Sequence, residues 1–164
     1  RPIRKAVIWA RDPAKAQALA ADLSDDALNV RASADPAEAA GFADVIVTTT
    51  PATEPILRAE WLRAGQHVTA MGSDQAGKAE LEPACLARAD LYVADRVSQT
   101  RLMGELRGAL EAGVLADGAN LPELGQVITG AHPGRTDPEQ ITIADLTGTG
   151  IQDTAIASHV LALI

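Results

Sequence analysis

Aromatic residues are almost absent from this sequence of 164 residues, which has one Phe, one Tyr and two Trp. A hydrophobic core must therefore be built mainly from Ala, Val, Leu and Ile, and 47% of the residues are apolar. Small aliphatic side chains suit the close packing of helices on a sheet. The length fits one ordinary domain, or a piece of one, and is too short for two full domains.

Cysteine and positive charge are also scarce. The single Cys85 cannot form an internal disulfide, and its apolar neighbours predict a buried thiol rather than a nucleophile. This cysteine usage fits a reducing cytoplasm. The 22 acidic residues outnumber the 14 basic ones, and no run of Lys or Arg offsets the net charge of -8. We therefore expect no binding to nucleic-acid phosphates or to an anionic membrane.

Several kinds of segment and motif are missing. No apolar stretch approaches the roughly 18 residues of a membrane span, and the first residues lack the apolar region of a signal peptide. The three histidines, His67, His132 and His159, are far apart and lack cysteines or carboxylates at ligand spacing, so a metal site is not expected. Neither GxSxG nor GxxxxGK[ST] occurs, which argues against common serine hydrolases and P-loop proteins.

Short apolar runs, mostly β-branched, alternate with helical patterns along the chain. Such runs indicate strands buried on both faces of a parallel sheet. The predicted strands are 5–9, 28–32, 44–50, 67–71, 91–95 and 141–146, and the predicted helices are 12–23, 34–41, 59–65 and 99–113. Exposed loops are predicted at 114–125 and 130–140 from their Gly, Pro and Asp content. The alternation predicts an α/β fold with a parallel sheet and right-handed crossovers.

In sheets of this kind ligands bind beyond the carboxyl ends of the strands. After the first strand, Arg11 could accommodate a ribose 2'-phosphate, or it could be a plain surface arginine, while Asp12 is placed to cap the next helix. At the third strand, "VTTTPATEP" (47–55) places several hydroxyls before a proline, which suits either ribose contact or simply strand propensity.

Two further strand ends carry candidate site residues. "TAMGSDQAGKAEL" (69–81) presents Asp74 four residues before Lys78, so Asp74 could cap a helix and pair with Lys78, or it could serve a ligand site. "ADLTGTGIQD" (144–153) is a partial GxGxxG whose third glycine position holds Asp153. This second pattern is a weak sign of a dinucleotide site, and it follows the last strand rather than the first.

Taken in order, three segments resemble the ornithine cyclodeaminase/mu-crystallin family. They are "TTTPATEPILRAEWLRAGQHVTAMGSDQAGKAEL", "PELGQVITG" and "DLTGTGIQDTAIA", and the likeness extends over essentially the whole chain. The branch that it resembles most is the ectoine-utilisation cyclodeaminase-like branch.

The resemblance implies a Rossmann-type domain that binds NAD or NADP, in an enzyme that forms a homodimer through a second domain. In the family's cyclodeaminases, hydride passes from a small amino-acid substrate to the nicotinamide, the imine loses ammonia by cyclisation, and the hydride returns. Other members are amino-acid dehydrogenases or ketimine reductases, and mu-crystallin is also a binding protein. These three possibilities remain open from the sequence.

The family's motifs also imply roles for individual residues. Asp74 matches the catalytic carboxylate of the family's "G-[GS]-D-x-x-G-K" loop, and Lys78 matches the loop lysine that contacts the cofactor or active site. "WARD" is similar to the "W-x-R" turn of NADP-preferring relatives. The other cofactor contacts implied by position are Arg11, Thr49, Thr50, Thr69, Ala70, Met71, Thr147 and Gly148. Leu146 stands where relatives often have Ser, so a hydroxyl contact is not expected there.

The chain departs from the family pattern at its front. The glycine-rich GxGxxA turn that relatives carry before the segment matching residues 1–12 does not occur, nor does the domain whose arginine and lysine bind the substrate carboxylate. We therefore expect residues 1–164 to be a partial Rossmann-type domain that lacks the first strand-helix unit, with the dimerisation and substrate domain elsewhere. We expect this piece to be inactive alone.

Overall fold

The structure is a computed structural model, and it describes residues 2–163. Strands and helices alternate along most of this part of the chain, as the sequence predicts. The strands are β1 Lys5–Trp9, β2 Asn29–Ser33, β3 Val45–Thr48, β4 His67–Ala70, β5 Leu91–Ala94 and β6 Thr142–Asp145. The helices are α1 Pro13–Leu23, α2 Pro36–Phe42, α3 Pro83–Arg88, α4 Val97–Thr100, α5 Glu105–Glu111, α6 Leu124–Ile128 and α7 Gly150–Leu161, and Ala59–Trp61 forms a 3-10 turn.

Local sequence signals explain where the first two helices begin. Asp12 precedes α1 and its Oδ1 accepts a hydrogen bond from the Ala14 amide at 3.0 Å, while Pro13 occupies the first helical position. Asp35 caps α2 in the same way, through the Ala37 amide at 2.9 Å. A side-chain acceptor and a proline without an N–H group suit a helix start, because the first amides have no partner within the helix.

All strand pairs are parallel, and they form two sheets. One sheet has the order β1-β2, and the other has the order β3-β4-β6-β5. A groove of about 150 Å³ lies between the β1 and β3 edges, lined by Val7 and Trp9 on one side and by residues 45–50 on the other. A Rossmann-type sheet has its first strand between these two neighbours. The arrangement confirms an α/β Rossmann-type fold without the first strand-helix unit.

The core is made of small aliphatic side chains, as the scarcity of aromatics requires. One face of the four-stranded sheet contributes Val68, Ala70 and Ile143, which are at most 1% exposed. Leu86 of α3 and Leu106 of α5 belong to the same buried cluster. Cys85 also lies in this cluster, as predicted, and burial raises the pKa of its thiol to about 12. Its thiol is therefore protonated at neutral pH and is no nucleophile.

Two helix predictions need correction. Residues 59–65 form only a 3-10 turn, because the buried Gln66 side chain accepts a hydrogen bond from the Arg63 amide at 2.7 Å and holds the chain in another path. The predicted helix 99–113 is divided into α4 and α5. Gly104 interrupts it with a φ of 79°, at a place where a Cβ would lie only 2.8 Å from Thr147 Cγ2.

Other local features were partly predicted. Gly65 and Gly113 adopt positive φ at the ends of the two segments. The predicted loop 114–125 ends two residues earlier than expected, since Leu124 begins α6 behind a capping box formed by Glu123 and Gln126. The capping box supplies reciprocal hydrogen bonds to the first amides of the helix, which a count of loop-forming residues does not register.

Helix α7 extends from the carboxyl edge of the sheet with all its side chains exposed, including Ile151 and Leu161, which are each 73% exposed. Within residues 2–163, no helix combines the length and apolar character needed to cross a membrane.

Candidate functional site

The carboxyl ends of four strands line up in one row. In the pairing register, Thr48 of β3 lies beside Ala70 of β4, Ala70 lies beside Asp145 of β6, and Asp145 lies beside Ala94 of β5. Neighbouring strands are about 4.8 Å apart. The segments that follow these residues are therefore brought together along one edge of the sheet.

Asp74 and Lys78 lie in the loop after β4. Lys78 Nζ is 2.5 Å from Asp74 Oδ1, and the Asp74 side chain is 50% exposed. No helix begins between Asp74 and Glu82, so the interpretation of Asp74 as a helix cap is wrong. The hydrogen bond from Lys78 lowers the pKa of Asp74 and outweighs the opposing effect of burial. Asp74 is therefore an ionised, accessible carboxylate at neutral pH.

The threonines after β3 lie at the same edge. Thr49 is exposed and Thr50 is half-buried, and both line the groove between β1 and β3. The Thr50 amide donates a hydrogen bond to Glu80 Oε1 at 2.5 Å. This contact fixes the backbone at the strand end, and the Thr49 side chain next to it is exposed.

Of the three predicted residues at the end of β4, only Met71 presents its side chain at this edge. Met71 is 46% exposed, and its amide donates to the Thr48 carbonyl at 2.9 Å. Ala70 is buried in the core, and the Thr69 hydroxyl lies 3.1 Å from His67 Nε2 within the strand. Contacts to a ligand from Thr69 and Ala70 would have to come from the backbone.

Thr147 and Gly148 are held by the carboxylate that follows β5. Asp95 Oδ2 accepts hydrogen bonds from the Thr147 amide at 2.7 Å and the Gly148 amide at 2.9 Å, and Asp95 Oδ1 accepts one from the Thr147 hydroxyl at 3.1 Å. Gly148 has a φ of 78° and is exposed. This glycine is exposed at the edge, next to the start of α7, and its carbonyl accepts a hydrogen bond from the Gln99 side-chain amide at 2.6 Å.

Arg11 lies two residues beyond Trp9, which lines the groove on the β1 side. Its side chain is exposed, and it makes no hydrogen bond or ion pair with any other residue of the described part of the chain. Asp12, by contrast, is engaged as the cap of α1. The structure therefore leaves a free guanidinium at the carboxyl end of β1.

Buried carboxylates organise this edge, and sequence reasoning missed them. Glu80 is fully buried, and its two oxygens accept hydrogen bonds from the Thr50 amide and from the Gly72 amide at 2.8 Å. This one side chain therefore joins the end of β3 to the end of β4. A Cβ on Gly72 would lie 2.2 Å from the Thr50 carbonyl oxygen, so no other residue fits there without a shift of the backbone.

Glu105 and Asp145 continue the network inward. Glu105 accepts hydrogen bonds from the Ser73 hydroxyl and from the Glu80 and Leu81 amides at 2.9 and 3.1 Å. Asp145 Oδ2 accepts hydrogen bonds from the Tyr92 hydroxyl at 2.7 Å and from the Glu105 amide at 2.9 Å. Burial raises the pKa of both carboxyls, that of Asp145 to about 7.

A sequence signal existed for part of this network. Asp95 and Asp145 each stand at the end of an apolar strand pattern, "LYVAD" and "ITIAD", where a carboxylate reaches the ligand-binding edge. Glu80 and Glu105 had no such signal, because their partners lie across the fold. Within residues 2–163, no group of three or more His, Cys, Asp or Glu is placed to hold a metal ion.

The edge fits a dinucleotide in its donor chemistry. Arg11 offers an unpaired cation for a phosphate at the end of β1, and Thr49 offers an exposed hydroxyl just after the end of β3. Gly148 is exposed at the edge with no Cβ in the way. The parallel sheet and the loops at its carboxyl edge define a Rossmann-type nucleotide-binding domain.

The chain belongs to the ornithine cyclodeaminase/mu-crystallin family, whose model matches residues 1–162. It is 60% identical over 159 residues to a protein of Sinorhizobium fredii called an uncharacterized cyclodeaminase. The alignment covers 96% of this chain and 48% of that protein. It is 42% identical over 131 residues to the alanine dehydrogenase of Archaeoglobus fulgidus, which covers 80% of this chain and 40% of that enzyme.

A solved structure has the same fold. The iminosuccinate reductase of Paracoccus denitrificans in complex with NAD+ is 37% identical, with a TM-score of 0.85, over 98% of this chain and 48% of that one. The chain thus spans about half the length of the relatives that it matches.

Proposed function

We propose that this chain is the nucleotide-binding half of an NAD(P)-dependent enzyme that acts on a small amino acid as a cyclodeaminase. The observation that carries the proposal is the position of Asp74. It is an ionised carboxylate on a loop whose base is held by two buried carboxylates, at the edge of the sheet where such domains bind their ligands. The second half, which would complete the substrate site and a homodimer, lies outside this chain.

In the proposal, one group of residues binds the cofactor, and Asp74 takes part in the chemistry. Arg11 would hold a 2'-phosphate, and Thr49 and Thr50 would line the cofactor at the carboxyl end of β3. Lys78 would contact the cofactor or substrate, and Thr69, Ala70, Met71, Thr147 and Gly148 would lie along the nicotinamide side. The nicotinamide, when bound, supplies the hydride acceptor and donor.

Asp74 would handle the proton in this reaction. As a carboxylate at neutral pH it can accept a proton from the substrate amine or from a water, and return it in a later step. Lys78 keeps it ionised between these steps, since the hydrogen bond from Lys78 lowers the pKa of Asp74. The loop therefore provides a base without any need for a histidine.

A specific observation favours a second candidate, an amino-acid dehydrogenase or imine reductase. The sequence is 42% identical to an alanine dehydrogenase and 37% identical to an iminosuccinate reductase. A cyclodeaminase releases ammonia with no net change in NAD(P)H, whereas a dehydrogenase or reductase produces or consumes it. A non-catalytic binding role has less support, because a pure binder has no need of the Asp74 carboxylate.

The finer assignments rest on sequence resemblance. We assign the enzyme to the ectoine-utilisation branch of the family and to the cytoplasm, the latter because the single Cys85 is free and buried. The substrate-selecting residues would belong to the other half of the enzyme.

The test is the Asp74→Asn variant of the full-length enzyme. Turnover is measured with L-ornithine, L-alanine and Δ1-pyrroline-2-carboxylate, following both ammonia and NAD(P)H, and the substrate that the wild type converts is used for the variant. We expect kcat to fall by roughly 100-fold or more at nearly unchanged cofactor affinity. Near-normal turnover of the variant would refute the role of Asp74, and no turnover of any of the three by the wild type would refute this substrate class.

A further inference from the structure

Glu105 is a buried carboxylate that the proposed chemistry does not use. It begins α5, and only 3% of it is exposed. All three groups that donate hydrogen bonds to its side chain come from the loop that carries Asp74: the Ser73 hydroxyl, the Glu80 amide and the Leu81 amide. One side chain from a different element thus binds both ends of this loop.

These bonds define a closed base and an open tip. Ser73 and Leu81 are both buried, whereas residues 74–77 between them are exposed. Asp74 is the first residue of the tip and is bonded covalently to Ser73. Its direction therefore depends on the position of Ser73, which is set by Glu105.

Closing a loop with a buried carboxylate costs free energy, because the charged group is removed from water. Burial raises the pKa of Glu105, which means that the fold disfavours its charge, and the buried Glu80 carboxylate nearby adds to this effect. An arrangement of this kind is kept where it is fully bonded and fixes one geometry. Here every group bonded to the carboxylate belongs to the loop that carries Asp74.

The same residue connects this loop to the second side of the edge. The Glu105 and Leu106 amides donate to Asp145 Oδ2 at 2.9 and 3.1 Å, and Asp145 leads directly to Thr147. The backbone of Glu105 is therefore fixed by the strand that precedes the Thr147 loop, while its side chain fixes the Asp74 loop. The two loops share one rigid connection.

We propose that Glu105 is the positioning residue of Asp74, an inference that rests on the proposed function. It acts by holding Ser73 and the far end of the loop, so that the Asp74 carboxylate keeps one direction at the site. Without it the carboxylate is still present but no longer aligned. A misplacement of about 1 Å can reduce a rate by roughly 100-fold.

The test uses Glu105→Gln in the full-length enzyme. Gln replaces one carboxylate oxygen of Glu105 with an NH2 group, which can donate hydrogen bonds but not accept them. At least one of the loop groups that donate to Glu105 then loses its acceptor, while the volume of the side chain changes little. Ser73→Ala is the milder second variant, since it removes only the hydroxyl contact. Glu139→Gln is the matched control, because it makes the same change at an exposed residue beside Gly65, before the amino end of β4, whereas the Asp74 loop follows the carboxyl end.

Three quantities are measured: kcat, the Kd of NADPH, and hydrogen exchange of the peptide that covers residues 72–82. For Glu105→Gln we expect kcat to fall about 10- to 100-fold, the Kd to change by less than about 3-fold, and exchange in the peptide to rise. Ser73→Ala should show a smaller change of the same kind. Glu139→Gln should match the wild type in all three.

The decisive measurement is Glu105→Gln combined with Asp74→Asn. If Glu105 acts through Asp74, the double variant has the kcat of Asp74→Asn alone. If Glu105→Gln lowers kcat in the Asp74→Asn background by the same factor as in the wild type, the inference is overturned and the proposed function stands. Unchanged kcat in both Glu105→Gln and Ser73→Ala would have the same meaning. Near-normal turnover of Asp74→Asn alone would overturn both.

Discussion

The Glu80 carboxylate lies against Gly72, whose amide donates a hydrogen bond to Glu80 Oε2 at 2.8 Å. A Cβ built on Gly72 would lie 2.4 Å from Glu80 Cδ, a distance that real Cβ atoms do not show. The glycine is required here by the closeness of its neighbours and not by its φ. The buried carboxylate and the missing side chain together set the distance between the loop and the end of β3.

Gly72→Ala should therefore destabilise the protein and distort the candidate site. Because the added Cβ meets the Thr50 backbone as well as Glu80, we expect a loss of roughly 1–3 kcal/mol in the free energy of unfolding. The measurement is urea denaturation of the full-length protein, followed by titration with NADPH, whose affinity should also weaken.

Gly41→Ala is the matched control for this change. Gly41 lies in α2, and a Cβ added to it would meet no atom within 4 Å, so the same substitution there should stabilise by about 0.5–1 kcal/mol. Equal stability of Gly72→Ala and the wild type would mean that the contact between Gly72 and Glu80 is looser than described.

Asp145→Asn should remove a pH dependence of stability. Burial raises the pKa of Asp145 to about 7, and Glu105 adds to this, while the hydrogen bond from Tyr92 acts against it. The folded state therefore holds a proton that the unfolded state releases near pH 4. The stabilisation from this proton is fully present below pH 4 and is lost as pH rises through about 7. The loss amounts to roughly 4 kcal/mol in the free energy of unfolding.

An asparagine keeps the acceptor that receives the three hydrogen bonds at Asp145 Oδ2, and it has no charge to lose. The measurement is the difference in urea midpoint between Asp145→Asn and the wild type from pH 5 to pH 8. We expect this difference to grow in favour of the variant as pH rises. His67, whose pKa is lowered by burial, affects both proteins equally and cancels in the difference. A constant difference would show that Asp145 is ionised throughout.

The sequence predicted the strands and the ligand-binding edge of the sheet well, because the signals for both are local. Runs such as residues 141–144 are mostly β-branched because both faces of a parallel strand are covered, and that requirement is local. The Asp12-Pro13 pair at the start of α1 is equally local. The order of such signals along the chain also carried the family resemblance.

The buried carboxylates were missed because their role depends on distant partners. Glu105 is 32 residues from Ser73, and Asp145 is 40 residues from Glu105. A sequence shows that an acidic residue is present but not that it is buried or which amides donate to it. The helix boundary at Gly104 was missed for the same reason, since the Asp145 and Thr147 side chains occupy the space that a Cβ would need.

Lys78→Met should raise the pKa of Asp74, because the hydrogen bond from Lys78 is the largest cause of its lowered value. If the ionised form of Asp74 is the active one, the acid limb of kcat/KM moves to higher pH in the variant, since this limb reports the free enzyme. The measurement is a pH profile of kcat/KM at low ionic strength. Lys15→Met, which removes the same charge from α1, should leave the limb in place. A shift in both variants would indicate a general charge effect.

Arg11→Ala should selectively weaken the binding of NADP. The Arg11 guanidinium is exposed at the end of β1 without a partner among residues 2–163, so it is available for a 2'-phosphate that NAD lacks. We expect the Kd of NADP to rise about 10-fold or more, as the loss of one charge-assisted contact predicts, with little change for NAD. The measurement is isothermal titration of both nucleotides into the full-length protein.

Arg4→Ala serves as the control for Arg11, because Arg4 lies just before β1, at the opposite end of the same strand. Removing that charge should leave both affinities unchanged, since any effect of net charge is screened over such a distance at about 0.15 M salt. If NAD binds more tightly than NADP and Arg11→Ala changes neither, Arg11 is a surface residue and the enzyme uses NAD. If neither nucleotide binds the wild type, the proposed function is wrong at its first step, because hydride transfer then has no acceptor.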